Sequence, residues 1–126
     1  MSDEFELILR YTRADAVADG VLVDVTAIAK EAGIKYPTAV TQAVFEKYVR
    51  VPDGLSDQDE AGRLWDILWM LHVSIRQSAS NADSLHFTLA VKQFESAGPV
   101  PTSLKALCHP GDDGEPVITI LLPHED

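Results

Sequence analysis

The sequence predicts an α+β fold, in which N-terminal helices and one long central helix pack on a small antiparallel sheet formed mainly by the C-terminal third. Two observations lead to this prediction. Apolar residues recur at helical spacing from about Asp57 to Ser78, whereas apolar and polar residues alternate from Leu85 to Lys92. Because the helical and the strand patterns occupy different parts of the chain, they favour α+β over an alternating βαβ arrangement.

Short elements fill the first third of the chain. We expect a strand or ordered lead-in over Phe5–Tyr11, a helix over Thr12–Ala18, a strand over Val21–Val25 and a helix over Ala27–Ala32. Thr12 resembles the first residue of a capping box, with Asp15 three residues later. Thr26 is a candidate N-cap, and Gly33 is suited to end its helix in a left-handed conformation.

Residues 26–49 resemble a helix-turn-helix, the DNA-binding motif, if Thr38 caps a second helix over Ala39–Val49. The candidate DNA contacts would be Lys35, Thr38, Thr41 and Gln42. The start of this helix carries no arginine, and the chain has a net charge of −10, whereas DNA binding needs a local positive field. Direct nucleic-acid binding is therefore the alternative prediction, and an ordinary helix pair is favoured.

The central helix has two apolar faces. Leu64, Leu68, Leu71 and Ile75 share one face, and Ile67 lies at its edge. Trp65, Trp69 and Val73 form a second face about a third of a turn away. This second face is either buried in the core, or it is a partner or dimer contact, because tryptophan is enriched at interface hot spots.

The last third of the chain predicts strands. Leu85–Val91 alternates as a strand with one solvated face, and Leu104–His109 and Pro116–Leu122 form a hairpin around a turn at Pro110–Gly114. The final run, Val117–Leu122, is almost continuously apolar, which indicates burial on both faces in a central or interface strand. It is a second, weaker indication of a homodimer.

Composition limits the class of protein. A chain of 126 residues predicts a single domain over residues 1–126, and one cysteine excludes an internal disulfide. The N-terminus is acidic and no apolar run could span a bilayer, so we expect a cytoplasmic protein without membrane association. The acidic side chains are spread along the chain, which favours a protein partner with a basic surface if they do more than keep the protein soluble.

Catalytic and metal-binding patterns are weak. Cys108 and His109 are adjacent, so on a strand their side chains point to opposite faces. We interpret Cys108 as a buried thiol, Asp112 and Asp113 as solvated turn residues, and Asp59 with Arg63 as an exposed ion pair. No catalytic residue, cofactor site or metal site is predicted.

Three sequence blocks carry a resemblance to a known family. They are Tyr11–Ala14 leading to Asp19–Val25, then Gly62–Met70, then Gly114–Ile120 with Leu122 and Pro123. Together they resemble an uncharacterised family, a domain of unknown function carried on bacterial plasmids, phages and integrative elements. The resemblance runs nearly end to end. It implies a mobile-element accessory protein in a bacterial cytoplasm and supplies no catalytic residue.

The sequence thus predicts a non-enzymatic accessory protein of a mobile genetic element that acts by binding another protein. One form of this function is a host-defence inhibitor with an acidic, DNA-like surface. The alternatives are a helix-turn-helix-like DNA-binding protein and a small enzyme of unknown type.

Overall fold

The computed structural model describes residues 11–78 and 83–125. It contains four helical segments: α1 (Arg13–Ala18), α2 (Thr26–Glu31), α3 (Gln42–Val44, continuing as a π-helical segment, Phe45–Val49) and α4 (Glu60–Gln77). Five strands accompany them: β1 (Leu22–Asp24), β2 (Thr38–Thr41), β3 (Ser84–Val91), β4 (Val100–Pro110) and β5 (Pro116–Leu121). The α+β prediction is confirmed. The strand predicted over Phe5–Tyr11 lies almost entirely outside the described residues.

The strands form one sheet in the order β1-β2-β5-β4-β3. All neighbours are antiparallel except β2 and β5, which run parallel with Thr38 opposite Ile118, so the sheet is mixed. The parallel pair joins strands that are far apart in the chain. After β2 the chain forms α3, α4, β3 and β4, and only then does β5 lie beside β2. β5 is central and its residues from Val117 onward are buried, as its apolar run predicts.

The core lies between α4 and one face of the sheet. Leu64, Ile67, Leu68 and Leu71 of α4 are buried there. They belong to the same apolar cluster as Phe87, Leu89, Leu104 and Ile120 of the sheet. β3 alternates as predicted, with Phe87, Leu89 and Val91 buried between exposed neighbours. Within the described ranges, no helix is both long and apolar enough to cross a membrane.

The helix predicted over Ala39–Val49 is wrong in its first turn. Thr38–Thr41 is a strand, and all four of its residues are buried. It lies between β1 and β5 and pairs with both, so tertiary pairing outweighs the tendency of Thr38 to cap a helix. Thr41 caps α3 instead, since its Oγ1 accepts a hydrogen bond from the Val44 amide at 3.2 Å.

The other predicted helix starts differ less from the structure. The capping box is confirmed, because the Thr12 hydroxyl accepts from the Asp15 amide and the Asp15 carboxylate from the Thr12 amide. Thr26 is the first residue of α2 and not its N-cap; its hydroxyl donates to Asp24 Oδ1 at 2.5 Å and accepts from the Thr38 amide. Gly33 follows α2 with φ +95°, as predicted.

Two boundaries in the second half are also shifted. α4 begins at Glu60 and not at Asp57, because Asp59 is the N-cap. β4 begins at Val100, four residues before the predicted start at Leu104, and it includes Pro101. Up to Leu104, β4 pairs only with β3, so proline stands where one side of the strand has no partner strand.

Candidate interaction surface

The start of α4 is fixed by a side-chain cap. Asp59 Oδ1 accepts a hydrogen bond from the Gly62 amide at 2.6 Å. Glu60 lies in the first turn and Arg76 in the last, an arrangement that suits the helix dipole. The cap fixes the residue at which the helix begins, and the apolar side chains packed on the sheet set which face points inward.

Arg63 anchors the inner side of α4 and is only 5% exposed. Its Nε donates to the Tyr48 carbonyl at 2.9 Å, and its Nη1 donates to the Lys92 carbonyl at 2.7 Å. Nη1 and Nη2 also donate to the Oε1 atoms of Gln58 and Gln93, both at 2.8 Å. These charge-assisted bonds join α4 to the π-helical segment, the loop before α4 and the end of β3.

This arrangement corrects the predicted ion pair between Asp59 and Arg63. Asp59 caps the helix, and all the acceptors of Arg63 are neutral. Burial lowers the pKa of the Arg63 guanidinium, and the nearby Asp66 carboxylate acts in the opposite direction. One signal in the sequence could have revealed the inward position: Arg63 precedes the buried Ile67 by four residues, so both lie on nearly the same helix face.

The outer side of α4 carries an aromatic stack. Trp65 is 37% exposed and Trp69 is 45% exposed. Their ring centroids are 6.2 Å apart and the ring planes differ by 8°. Trp69 also stacks on His72, at 5.3 Å between centroids and 30° between planes. Val73, the third predicted contact residue, is half-buried. Neither tryptophan belongs to the core, which leaves their rings available at the surface.

His72 connects the aromatic stack to the end of α2. A Cβ placed on Gly33 would lie 2.9 Å from His72 Cε1, closer than such atoms approach one another. Gly33 also has φ +95°, which favours glycine. The imidazole is therefore held between the glycine backbone and the ring of Trp69, and this position fixes one side of the stack.

Carboxylates border Trp65. A groove of about 270 Å³ runs beside the start of α4, and its lining includes Trp65, Asp57, Asp59 and Asp66. Asp66 is exposed, and among the described residues it makes no hydrogen bond or ion pair within bonding distance. Burial of part of its surface raises the pKa of Asp66, and Arg63 partly offsets that change. The groove combines an aromatic face with negative charge.

The four candidate DNA contacts do not share a surface. Lys35 and Gln42 are exposed, whereas Thr38 is fully buried and Thr41 is 8% exposed. The hydroxyl of Thr41 donates to Glu125 Oε1 at 2.7 Å. Because Thr38 and Thr41 belong to β2, the helix predicted to carry these contacts begins only at Gln42.

Asp112 joins the β4–β5 turn to the start of α1, which the sequence did not reveal. Its two oxygens accept hydrogen bonds from the backbone amides of Arg13 and Ala14, at 2.8 and 3.0 Å. The Arg13 guanidinium in turn donates to Thr119 Oγ1 and to the Ile118 carbonyl. The prediction that Asp112 is a solvated turn residue is therefore wrong. The partner amides are about a hundred residues away, so no local pattern indicates the contact.

Cys108 and His109 have different surroundings. Cys108 is half-buried and lines an apolar cavity of about 170 Å³ with Tyr36 and Ile75. His109 is exposed, and its Nε2 lies 2.9 Å from Thr119 Oγ1. Within residues 11–78 and 83–125, no group of three or more His, Cys, Asp or Glu side chains is placed to hold a metal ion.

Comparison with known proteins places the chain in a family without assigning an activity. No curated protein and no solved structure matches the chain significantly. The match that is found is to the model of a family of unknown function, DUF6573, and it extends over residues 1–126. The chain therefore belongs to the DUF6573 family of unknown function.

Proposed function

We propose that this protein is not an enzyme and acts by binding another protein through the outer face of α4. This outer face consists of Trp65, Trp69 and Val73, together with the carboxylates that line the groove beside Trp65. The observation that carries the proposal is that both tryptophans of the chain are exposed and stacked on one helix face. Large aromatic side chains on a surface are typical of interaction sites, where tryptophan contributes a large share of binding energy.

The partner is a protein with a basic surface. The chain carries a net charge of −10, and three carboxylates line the groove beside Trp65. Complementary charge accelerates encounter and selects the partner, while the buried aromatic contacts slow dissociation. Nucleic acid and anionic membranes carry the same sign of charge as this protein and are not its partners.

The resemblance to proteins of plasmids, phages and integrative elements supports a more specific form of the proposal. The protein serves as an accessory factor of a mobile genetic element in a bacterial cytoplasm. A host-defence protein that handles nucleic acid has the basic surface that this role requires, and an acidic protein can inhibit it by occupying the position of DNA.

Capture of partners from a bacterial lysate by the immobilised chain tests the proposal. We expect the wild-type chain to retain specific proteins that Trp69→Ala loses. Phe94→Ala is the matched control, because Phe94 is an aromatic residue, 68% exposed, in the loop after β3. Retention should fall steeply from about 50 to about 500 mM salt, since screening weakens exposed charge pairs. Equal capture by all three chains would contradict the proposal.

The oligomeric state of the purified chain is the companion measurement. If Trp69→Ala converted a dimer into a folded monomer, then the partner at this face would be a second copy of the chain. Circular dichroism of each variant separates loss of binding from loss of folding, because a core role for Trp69 predicts unfolding instead.

A further inference from the structure

We propose that the partner places an arginine side chain in the groove between Trp65 and Asp66. This inference rests on the proposed function and names the chemistry of its occupant. It depends on two features that meet in this groove: an exposed aromatic ring and the Asp66 carboxylate, which accepts no hydrogen bond within the described residues.

The aromatic feature selects arginine over lysine. Trp65 is 37% exposed and its ring is aligned with that of Trp69, so the two indoles present an ordered surface. A guanidinium is planar and weakly hydrated, and it stacks on an indole face while its N–H groups remain free to donate. An ammonium group offers the same charge without the planar contact.

The carboxylate feature identifies Asp66 as the pairing group. Asp59 Oδ1 is occupied by the Gly62 amide, and Asp57 lies 3.4 Å from Lys92 Nζ. Asp66 alone of the three lining carboxylates has no hydrogen bond in the described ranges. A carboxylate can accept two parallel N–H bonds from one guanidinium, the geometry that arginine supplies and lysine does not.

The charge of the groove supports a cation as occupant. Its lining includes three carboxylates and one guanidinium, that of Arg63. Arg63 is 5% exposed and its N–H groups already donate to protein acceptors, so it competes little for Asp66. The net negative lining thus complements an incoming arginine.

A second copy of the chain is the competing occupant, because Arg76 lies in the last turn of the same helix. The net charge of −10 on each copy argues against a second copy as occupant, because like charges oppose association of two identical chains. An arginine from a basic protein meets no such repulsion.

Tryptophan fluorescence tests the inference directly, since the chain has two tryptophans and both lie at this surface. The probes are short oligo-arginine and oligo-lysine peptides of equal length. We expect the arginine peptide to change the emission and to bind about tenfold more tightly than the lysine peptide. Trp65→Ala and Asp66→Asn should each weaken the arginine peptide by about tenfold, with Trp69 as reporter in the first variant.

Asp113→Ser is the matched control, because it also removes one carboxylate. Asp113 lies in the turn between β4 and β5, at the end of the strands away from the groove. It should leave peptide affinity unchanged to within about twofold. Equal binding of the two peptides, or equal weakening by Asp66→Asn and Asp113→Ser, would show that net charge alone is responsible and would overturn the inference.

Two further outcomes separate this inference from the proposed function. If Trp69→Ala abolished protein capture while arginine and lysine peptides bound alike, the proposed interface would be supported and the assignment of an arginine would be contradicted. If the wild-type chain were a dimer that Arg76→Gln dissociated, the groove would hold the chain's own arginine, and the inference about a foreign partner would be overturned.

Discussion

The two sides of α4 reverse the usual distribution of polar and apolar residues. On the inner side, the guanidinium of Arg63 is buried and satisfied by four hydrogen bonds to neutral acceptors. On the outer side, Trp65 and Trp69 present their rings to the surface. Hydrophobicity alone would have placed these residues the other way round.

The difference shows what each side contributes. A buried charge is tolerated only when its hydrogen-bonding groups are matched, so Arg63 fixes local geometry. An exposed tryptophan pair adds little to folding and leaves apolar surface that a partner can cover. The inner side therefore holds the helix in place, and we assign recognition to the outer side.

The largest expected effect is the loss of Arg63. Arg63→Met leaves the carbonyls of Tyr48 and Lys92 without this donor in a partly buried position. The free energy of unfolding should fall by about 3 kcal/mol, as measured by urea denaturation. Arg63→Lys should recover little of this loss, because an ammonium group cannot reach acceptors spread around a planar fork.

Arg76→Met is the control for this first prediction. It makes the same substitution on the same helix at an exposed position. The expected loss is about 0.5 kcal/mol, from the interaction with the helix dipole. If both variants lost the same free energy, burial of Arg63 would not be the feature that holds α4.

A smaller effect is expected at the turn between β4 and β5. Asp112→Ala removes the acceptor of two backbone amides at the start of α1 and should lower the free energy of unfolding by about 1–2 kcal/mol. Asp113→Ala, the adjacent exposed carboxylate, should change it by less than about 0.5 kcal/mol. Thermal and urea denaturation of the pair measure the difference. Indistinguishable stabilities would mean that the contact is not maintained in solution.

The smallest effect, and the one that distinguishes stability from recognition, is at Asp66. Burial raises the pKa of Asp66 in the folded protein, with Arg63 partly offsetting it. The folded state therefore binds this proton more tightly than the unfolded state, and the ionised carboxylate lowers stability at neutral pH. Asp66→Asn should slightly raise the free energy of unfolding near pH 7.

This gain should disappear as the pH falls below about 4, where the carboxyl group is protonated in both states. Urea denaturation at the two pH values measures it. The same substitution weakens the arginine peptide, so stability and binding should move in opposite directions. A loss of stability at neutral pH would instead indicate that Asp66 supports the fold.

Much of the fold could be predicted because local patterns agree with tertiary burial. The strand alternation at Leu85–Val91, the hairpin and the inward row of Leu64, Leu68 and Leu71 all appear in the structure. In each case, a period of 2 or 3.6 residues sets which side chains face the core, and the periods are visible in the chain itself.

The parts that failed depend on distant partners. Thr38 looks like a helix cap, and strand pairing on both sides of β2 overrides that preference. Asp112 is matched by amides about a hundred residues away, so composition and spacing could not identify its role. The spacing of Arg63 from Ile67 indicates the inward helix face, but it does not identify the acceptors of the guanidinium. The sequence leaves the exposure of the two tryptophans open, because a helical wheel separates two apolar faces without indicating which one the sheet covers.

Side-chain N–H exchange observed by NMR tests the contrast between the two sides of α4 most directly. We expect slow exchange for the Arg63 Nε–H, which donates to the Tyr48 carbonyl, and rapid exchange for both indole N–H groups. Addition of the arginine peptide should shift the indole signals and leave the Arg63 signal in place. Protected indoles in the free protein, or a rapidly exchanging Arg63 Nε–H, would contradict the assignment of anchoring to the inner side and recognition to the outer side.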